Sequence, residues 1–491
     1  MLVSRSFLFL AGIGVVAVLS ACTAHDPLTP PAVASQADAL ASLPDGVTRQ
    51  TLAEDWWMLY HDQHLNGWVK RSLAHNQELA QAEANVRALL AGIEEFDAQR
   101  WPSTSTRFAA IYGKSADDQT LAEATDSHAP SQWTFNPGIE LAYQLDVWGQ
   151  VRNSIERAKA QADASREAKG LVRLEVVAQT SRAYIDQCVY GARVQEAEQS
   201  LQTLDKSLQL SERQRQGGIA TELDEERLLS LREQVKATLP MLEAHRRMAL
   251  YELAMLSGQE PAKFAVEAGS CRTIPTLDAP LPGGDGWHLL ERRPDVRKAE
   301  LELQAAALDV SIVKADLYPK VSFGASLTSS DHQLSNLGDS RAVMFAIGPL
   351  IRWEFPNIKA NRARVSKAQA LQEAAVARYR GAALAALKDV RHALARYDGE
   401  RQRLSALQAA MAHSQRGFDL ASVNYRAGAL DALQLLDAER DLISVRDSHV
   451  QAQGGLARAQ INLFRALGGG WRETAVPTTA QALAADSGKR P

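Results

Sequence analysis

From Gln150 to Gln216 the chain contains no proline, and only Gly170 and Gly191 interrupt its helix-forming residues. A continuous helix over that stretch would run about 100 Å at 1.5 Å per residue, far more than a globular domain can cover. Uninterrupted helical patterns of this length usually form coiled coils, which need neighbouring helices along their whole course. The seams for such neighbours are present. Leu201, Leu204 and Leu208 recur at helical spacing, and Leu228, Leu231, Val235 and Leu242 make a second stripe. The Ala-rich run from Ala374 to Ala386 favours helix and permits close packing.

The same plan occurs twice. Gln99-Arg100-Trp101-Pro102 ends a helical stretch before a strand, and Asp316-Leu317-Tyr318-Pro319 does so again later. Val147-Trp148-Gly149 closes a strand before a long helix, with Glu354-Phe355-Pro356 as its counterpart. Gly218-Ile219-Ala220-Thr221-Glu222-Leu223 punctuates the helices of the first half, and Gly428-Ala429-Leu430-Asp431-Ala432-Leu433 those of the second. A repeat of roughly two hundred residues is too long for a solenoid unit and indicates a duplicated subunit. Each half is predicted to run helix, strand, strand, long helix, turn, long helix. The halves are expected at 66–268 and 287–470, joined by a Pro- and Gly-rich linker at 269–286, with a tail at 471–491.

The strands alternate in polarity. Phe135, Ile139, Leu141, Tyr143, Leu145 and Val147 alternate with Asn136, Glu140, Gln144 and Asp146. Val321, Phe323, Ala325 and Leu327 alternate with Lys320, Ser322, Ser326 and Thr328; Val343, Phe345, Ile347, Ile351 and Trp353 continue the theme. The first strand, around Thr104 to Tyr112, is weakly patterned. Alternation over about ten residues suits a membrane β-barrel with lipid outside and water inside, although a half-buried soluble sheet shares the pattern. Four strands are too few to close a barrel, and open edges cannot exist in lipid, so a barrel here requires several copies of the chain.

The N-terminus is patterned for export. Arg5 precedes an apolar run from Phe7 to Leu19, too short to span a bilayer, and Leu19-Ser20-Ala21-Cys22 resembles a bacterial lipobox. Residues 1–21 are expected to be a signal peptide and Cys22 the acylated first residue of the mature chain, with 22–65 leading into the first repeat. Thr23 and Ala24 follow the cysteine in place of a retention aspartate, so sorting to the outer membrane is expected. A formal net charge of −4 offers no basic footprint for nucleic acid. Cys188 falls in a helical pattern and Cys271 in a distant loop, and the two are expected to remain free thiols.

Several strings, in order, resemble the TolC-like outer-membrane factor family, in its NodT-type (OprM-like) efflux lipoprotein branch. They are Trp56-Trp57 with Asp62 and Leu65, Leu145-Asp146-Val147-Trp148-Gly149, Leu290-Glu291-Arg292-Arg293-Pro294-Asp295, Tyr425-Arg426-Ala427-Gly428 and Ala466-Leu467-Gly468-Gly469-Gly470-Trp471. Pro294 also suits a first helical turn on its own merits, and Asp295 complements that helix's dipole. The resemblance spans about residues 20 to 475. It implies a mixed α and membrane-β fold: a homotrimer with a twelve-stranded transmembrane barrel, four strands per chain, continued by a long periplasmic α-helical barrel. It implies a passive exit duct for small toxic compounds such as drugs. The implied partners are a periplasmic adaptor, an inner-membrane pump of the RND type and outer-membrane lipid. Phe355-Pro356-Asn357-Ile358 departs from the family's strand-to-helix turn.

The resemblance also implies a periplasmic gate. Leu433 falls at the apolar constriction, Asp437 at an acidic ring and Arg440 at its stabilising partner, with Leu223 and Asp224 at the matching turn of the first repeat. Helical spacing alone allows Asp437 and Arg440 to meet, though plain coiled-coil surface charges would look the same. No P-loop, Gly-x-Ser-x-Gly or zincin string is present, so neither an enzyme nor a cofactor is expected. His61-Asp62-Gln63-His64 has the composition of a metal cluster but is expected to be structural, and the methionines are dispersed. Two other readings stand beside the efflux duct. A TolC-type protein-secretion duct would lack the lipobox, and a periplasmic adaptor would lack strands of membrane length.

Overall fold

The computed structural model describes residues 47–48, 50, 53–261, 271–277, 280–282, 292–354 and 358–469. Cys22, the signal segment, Phe355-Pro356-Asn357 and the tail lie outside them, as does much of 269–286.

The predicted long helix forms over the predicted span. Designated α4, it covers Gln150–Gln216 and its 67 residues begin after Gly149 at φ 73. Its first exposed amides are satisfied from behind: Val151 and Arg152 donate to the two carboxylate oxygens of Asp146 at 2.8 and 2.9 Å. Asp146 is thus an anion placed at a helix N-terminus, where the dipole favours it. Beside it Trp148 stacks on Tyr318 at 4.6 Å and donates to Pro319 O at 2.8 Å, pinning strand ends of the two repeats together.

The duplication is explicit in the elements. The first copy runs α2 (Gln77–Ala98), β2 (Ser103–Gly113), β3 (Gln132–Leu145), α4 and α5 (Glu222–Leu256). The second runs α6 (Pro294–Ala315), β5 (Lys320–Ser329), β6 (Val343–Arg352), α7 (Ile358–Arg426) and α8 (Ala432–Ala466). The paired helices match in length, with 22 residues in α2 and α6, 67 and 69 in α4 and α7, and 35 in α5 and α8. Ahead of both copies stand α1 (Gln63–His75) and the short strand β1 (Val47–Thr48), which pairs in parallel with β4 (Leu281–Pro282). A helix absent from the sequence expectation, α3 (Ala116–Ala124), fills the β2–β3 connection, capped by Ser115.

The four long strands form one antiparallel sheet in the order β2-β3-β5-β6. Register puts Thr106, Ile139, Leu327 and Phe345 in one row and Ser105, Glu140, Ser326 and Ala346 in the next. Successive residues point to opposite faces, so one face is mainly apolar and the other carries Glu140, Gln144, Ser322 and Ser326. The weakly patterned first strand is fully formed; all eleven of its residues pair with β3, whose alternation sets the register for both.

The core lies where the helices of both copies meet α1. Trp56, Leu65 and Val69 are buried against Tyr184, Ile185 and Cys188 of α4, Leu253 of α5 and Ile461 and Phe464 of α8. Trp56 stacks on Phe464 with centroids 4.8 Å apart. In the His61-Asp62-Gln63-His64 string, Asp62 is the N-cap of α1, accepting from His64 N and Leu65 N, and it also accepts from Tyr184 Oη at 2.8 Å. Arg293, buried ahead of Pro294, ties α6 to the end of α8 by donating to Ala466 O at 2.8 Å. The predicted seams merge lower down: Leu204, Leu228, Leu231 and Val235 form one cluster with Leu436 of α8.

One expectation is overturned. Cys188 and Cys271 are joined in a disulfide across 83 positions, with Cα atoms 4.6 Å apart. The loop around Cys271 lies directly on α4, so close that a Cβ on Gly191 would stand 1.9 Å from Cys271 O. Ile274 and Leu281 are buried further along, so apolar burial draws the loop back over the helix and brings the thiols together.

Candidate functional site: the helical tip and the sheet faces

Two turns close the helical hairpins, and their chemistry is matched. Gly218 (φ 76) and Gly428 (φ 72) adopt the left-handed conformation that glycine tolerates. Ile219 N reaches back to Gln214 O at 2.8 Å, and Ala429 N to Asn424 O at 2.9 Å, which satisfies the last carbonyls of α4 and α7. Thr221 and Asp224 then open α5 with a reciprocal capping box, and Asp431 caps α8 by accepting from Gln434 N at 2.9 Å. The turns lie side by side, since Gln214 Nε2 of α4 donates to Tyr425 O of α7 at 3.1 Å.

The predicted gate residues divide by what they touch. Leu223 and Leu433, each the second residue of its helix, are 58% and 43% exposed. Asp224 is committed to the turn: Thr221 N and Oγ1 donate to its Oδ2 at 3.0 and 2.7 Å, with Arg227 at 3.9 Å. Asp437 and Arg440 are both exposed, and no ion pair joins them within the chain among the described residues. The face of α8 behind them is buried through Leu435, Leu436, Glu439 and Leu442.

Glu439 was not anticipated from sequence. It is 1% exposed and accepts from Ser207 Oγ of α4 at 2.9 Å, while its Oε2 has no partner among the described residues. Burial pushes its carboxyl up to about 7, against the opposing pull of the Ser207 hydrogen bond. A signal for it existed in the periodicity, because Leu435, Leu436, Glu439 and Leu442 share one helical stripe and a carboxylate interrupts it. Above this point α4 and α8 are bridged by ion pairs: Arg193 with Asp447 (2.7 Å), Arg458 with Asp186, and Arg465 with Glu175 (3.2 Å).

On the polar face of the sheet Arg107 lies 3.8 Å from Glu140. The opposite face leaves Phe108, Ile139, Leu327, Phe345, Ile347 and Ile351 exposed in the single chain. Within the chain, among the described residues, β2 and β6 each leave one edge unpaired. An apolar outer face, a polar inner face and free edges at both ends define a segment of a larger membrane barrel. No described helix is long and apolar enough to cross a membrane.

Strands of this kind standing on helical hairpins define the class: trimeric outer-membrane channels continued by a helical barrel, passive conduits and not enzymes. The chain belongs to the outer membrane efflux protein family, which it matches over residues 68–259 and 288–469. It is 30% identical to the outer membrane protein OprJ of Pseudomonas aeruginosa over 93% of this chain and 94% of that one. To the pyoverdine export outer membrane protein OpmQ of the same organism it is 29% identical, over 85% and 87% of the two chains. Among solved structures it is similar to the outer-membrane channel OprN, with a TM-score of 0.84 and 32% identity over 91% of this chain and 98% of that one. The protein is an outer-membrane efflux channel that extends into the periplasm and works with a periplasmic adaptor and an inner-membrane pump.

Proposed function

We propose that this chain forms the exit duct for small toxic compounds, drugs among them, delivered by an inner-membrane pump of the RND type through its adaptor. In this reading the closed point of the duct is the tip of the second repeat. Leu433 supplies an apolar plug, Asp437 an acidic ring and Arg440 the cation that balances it. Leu223 adds a second apolar position, and Asp224 holds the first turn in shape. Cys22 carries the acyl anchor, and outer-membrane lipid surrounds the barrel.

The observation that carries the gate is the two-sidedness of α8. Leu435, Leu436 and Leu442 are buried within the chain, whereas Leu433, Asp437 and Arg440 are exposed and unpaired among the described residues. Three copies of Asp437 converging on one axis would oppose each other's ionisation unless cations balanced them, a task that would fall to Arg440 of the same or a neighbouring protomer. Opening would then be an outward displacement of packed helices, with no chemical step.

Planar-bilayer recordings test this reading. Leu433→Ala combined with Arg440→Ala is expected to raise single-channel conductance, and Asp437→Ala to lower cation selectivity. Unchanged conductance and selectivity in correctly assembled trimers would place the constriction elsewhere. The compound class is tested by whether the intact pump confers resistance to small drugs in a sensitive host. Secretion of a polypeptide instead would favour a protein-secretion duct.

A further inference from the structure

The tip contains a titratable group that the gate reading does not use. Glu439 sits behind Asp437 and Arg440, on the opposite face of α8, where that helix packs against α4. A carboxylate buried in an apolar seam is costly unless it is paired, and among the described residues Glu439 has one hydroxyl donor and no cation.

Its surroundings confirm the isolation. From α4 it meets Ser207; Asp205 of that helix is bound to Arg232 of α5 at 2.7 Å, and Lys206 and Glu212 are exposed. The seam's contribution from α5 is Leu228, Leu231 and Val235. On α7, Tyr425 is buried near Ser211, closer to the tip, and Gln415 accepts from Arg446 of α8 at 2.6 Å. On α8 itself Asp437 and Arg440 face solvent, and the next charge along the seam, Asp447, is held by Arg193. Burial, opposed only by the Ser207 hydrogen bond, accounts for the displacement of the Glu439 carboxyl to about 7.

We propose that Glu439 is a proton-dependent lock on the tip: in its neutral form it lets α8 stay docked on α4 through Ser207, and its ionisation favours separation of the two helices and opening of the mouth. The proposal rests on the reading of the tip as the gate and adds a control to it. Separation would hydrate the carboxyl and return it towards the ordinary carboxylate range, so opening is coupled to release of one proton per protomer. The sign follows from that release. The closed seam holds the proton more tightly, so rising periplasmic pH favours the open state through the range up to about 7 and adds little beyond it. Between about pH 6 and about pH 8 the open-to-closed ratio should rise roughly tenfold per protomer, and more steeply if three protomers move together.

The experiment is open probability of the full-length trimer in planar bilayers across that pH range, for the unmodified protein, Glu439→Gln, Ser207→Ala and the double variant Leu433→Ala with Arg440→Ala. The unmodified channel should open more often as pH rises. Glu439→Gln, permanently neutral and nearly isosteric, should be flat and predominantly closed. Ser207→Ala, which removes the donor that favours the charged form, should move the midpoint to higher pH, and it provides a second reading if the glutamine variant assembles poorly. A flat profile in the unmodified channel, or an unaltered pH response in Glu439→Gln, overturns the lock. If the double variant opens while the unmodified profile is flat, the lock alone fails; if the double variant also leaves conductance unchanged, the gate reading fails with it.

Discussion

Placing an arginine at Ile139 probes the membrane assignment most directly. Ile139 lies near the middle of β3 and is 52% exposed in the single chain. Its row across the sheet is Thr106, Leu327 and Phe345, and the last two are also exposed and apolar. A guanidinium at the bilayer midplane on the lipid face of a β-barrel costs about 2–4 kcal/mol, falling to about 0–1 near the interfaces. With three copies per barrel, Ile139→Arg should cost the trimer roughly 6–12 kcal/mol. The control is one row away at nearly the same depth. Ser326 is directly opposite Glu140 on the polar face, so Ser326→Arg should meet water and a carboxylate and be tolerated. Urea titration of trimers reconstituted in vesicles, followed on gels run without boiling, would report the difference. Equal loss of trimer in the two variants would refute the assignment of faces, because the comparison uses neighbouring strands at nearly the same depth and changes chiefly the face to which the side chain points.

The Cys188–Cys271 disulfide closes a separation of 83 residues, for which loop-closure entropy gives about 4.5 kcal/mol of stabilisation. Replacing both cysteines with serine should therefore lower the thermal midpoint of the trimer and abolish its sensitivity to reductant; an unchanged midpoint would show the loop held by Ile274 and Leu281 alone. Cys22→Ser should abolish acyl labelling yet leave a membrane-bound trimer, since the barrel itself holds the protein in lipid. Loss of all membrane association in that variant would contradict a barrel of this kind.

The periodic elements were legible from sequence because their patterns are local. A proline-free run with leucine seams specifies a coiled-coil helix whatever packs on it, and α4 covers the span read from its residues. Alternation in β3, β5 and β6 likewise reports two different solvents, one on each face of the sheet. Where the local pattern was faint, as in β2, pairing with β3 supplied the register. The helix α3 was missed, its nine residues carrying too short a pattern to stand out.

The helical tip and the core around α1 divide along the same line. The capping signals that place Leu433, Asp437 and Arg440 at a helix start are sequence-local, but reading those residues as a gate comes from the family resemblance, since helical spacing alone suits plain surface charges as well. What only the tertiary structure decided are the contacts between segments remote in the chain. Cys271 meets Cys188 because buried Ile274 and Leu281 draw its loop over α4 and Gly191 leaves room for the approach. Glu439 becomes a buried acid because Ser207, 232 positions away, faces it across the seam between α4 and α8. Sequence periodicity puts Glu439 on the apolar stripe of its own helix, but the environment that sets its proton affinity comes from the helices that cover it.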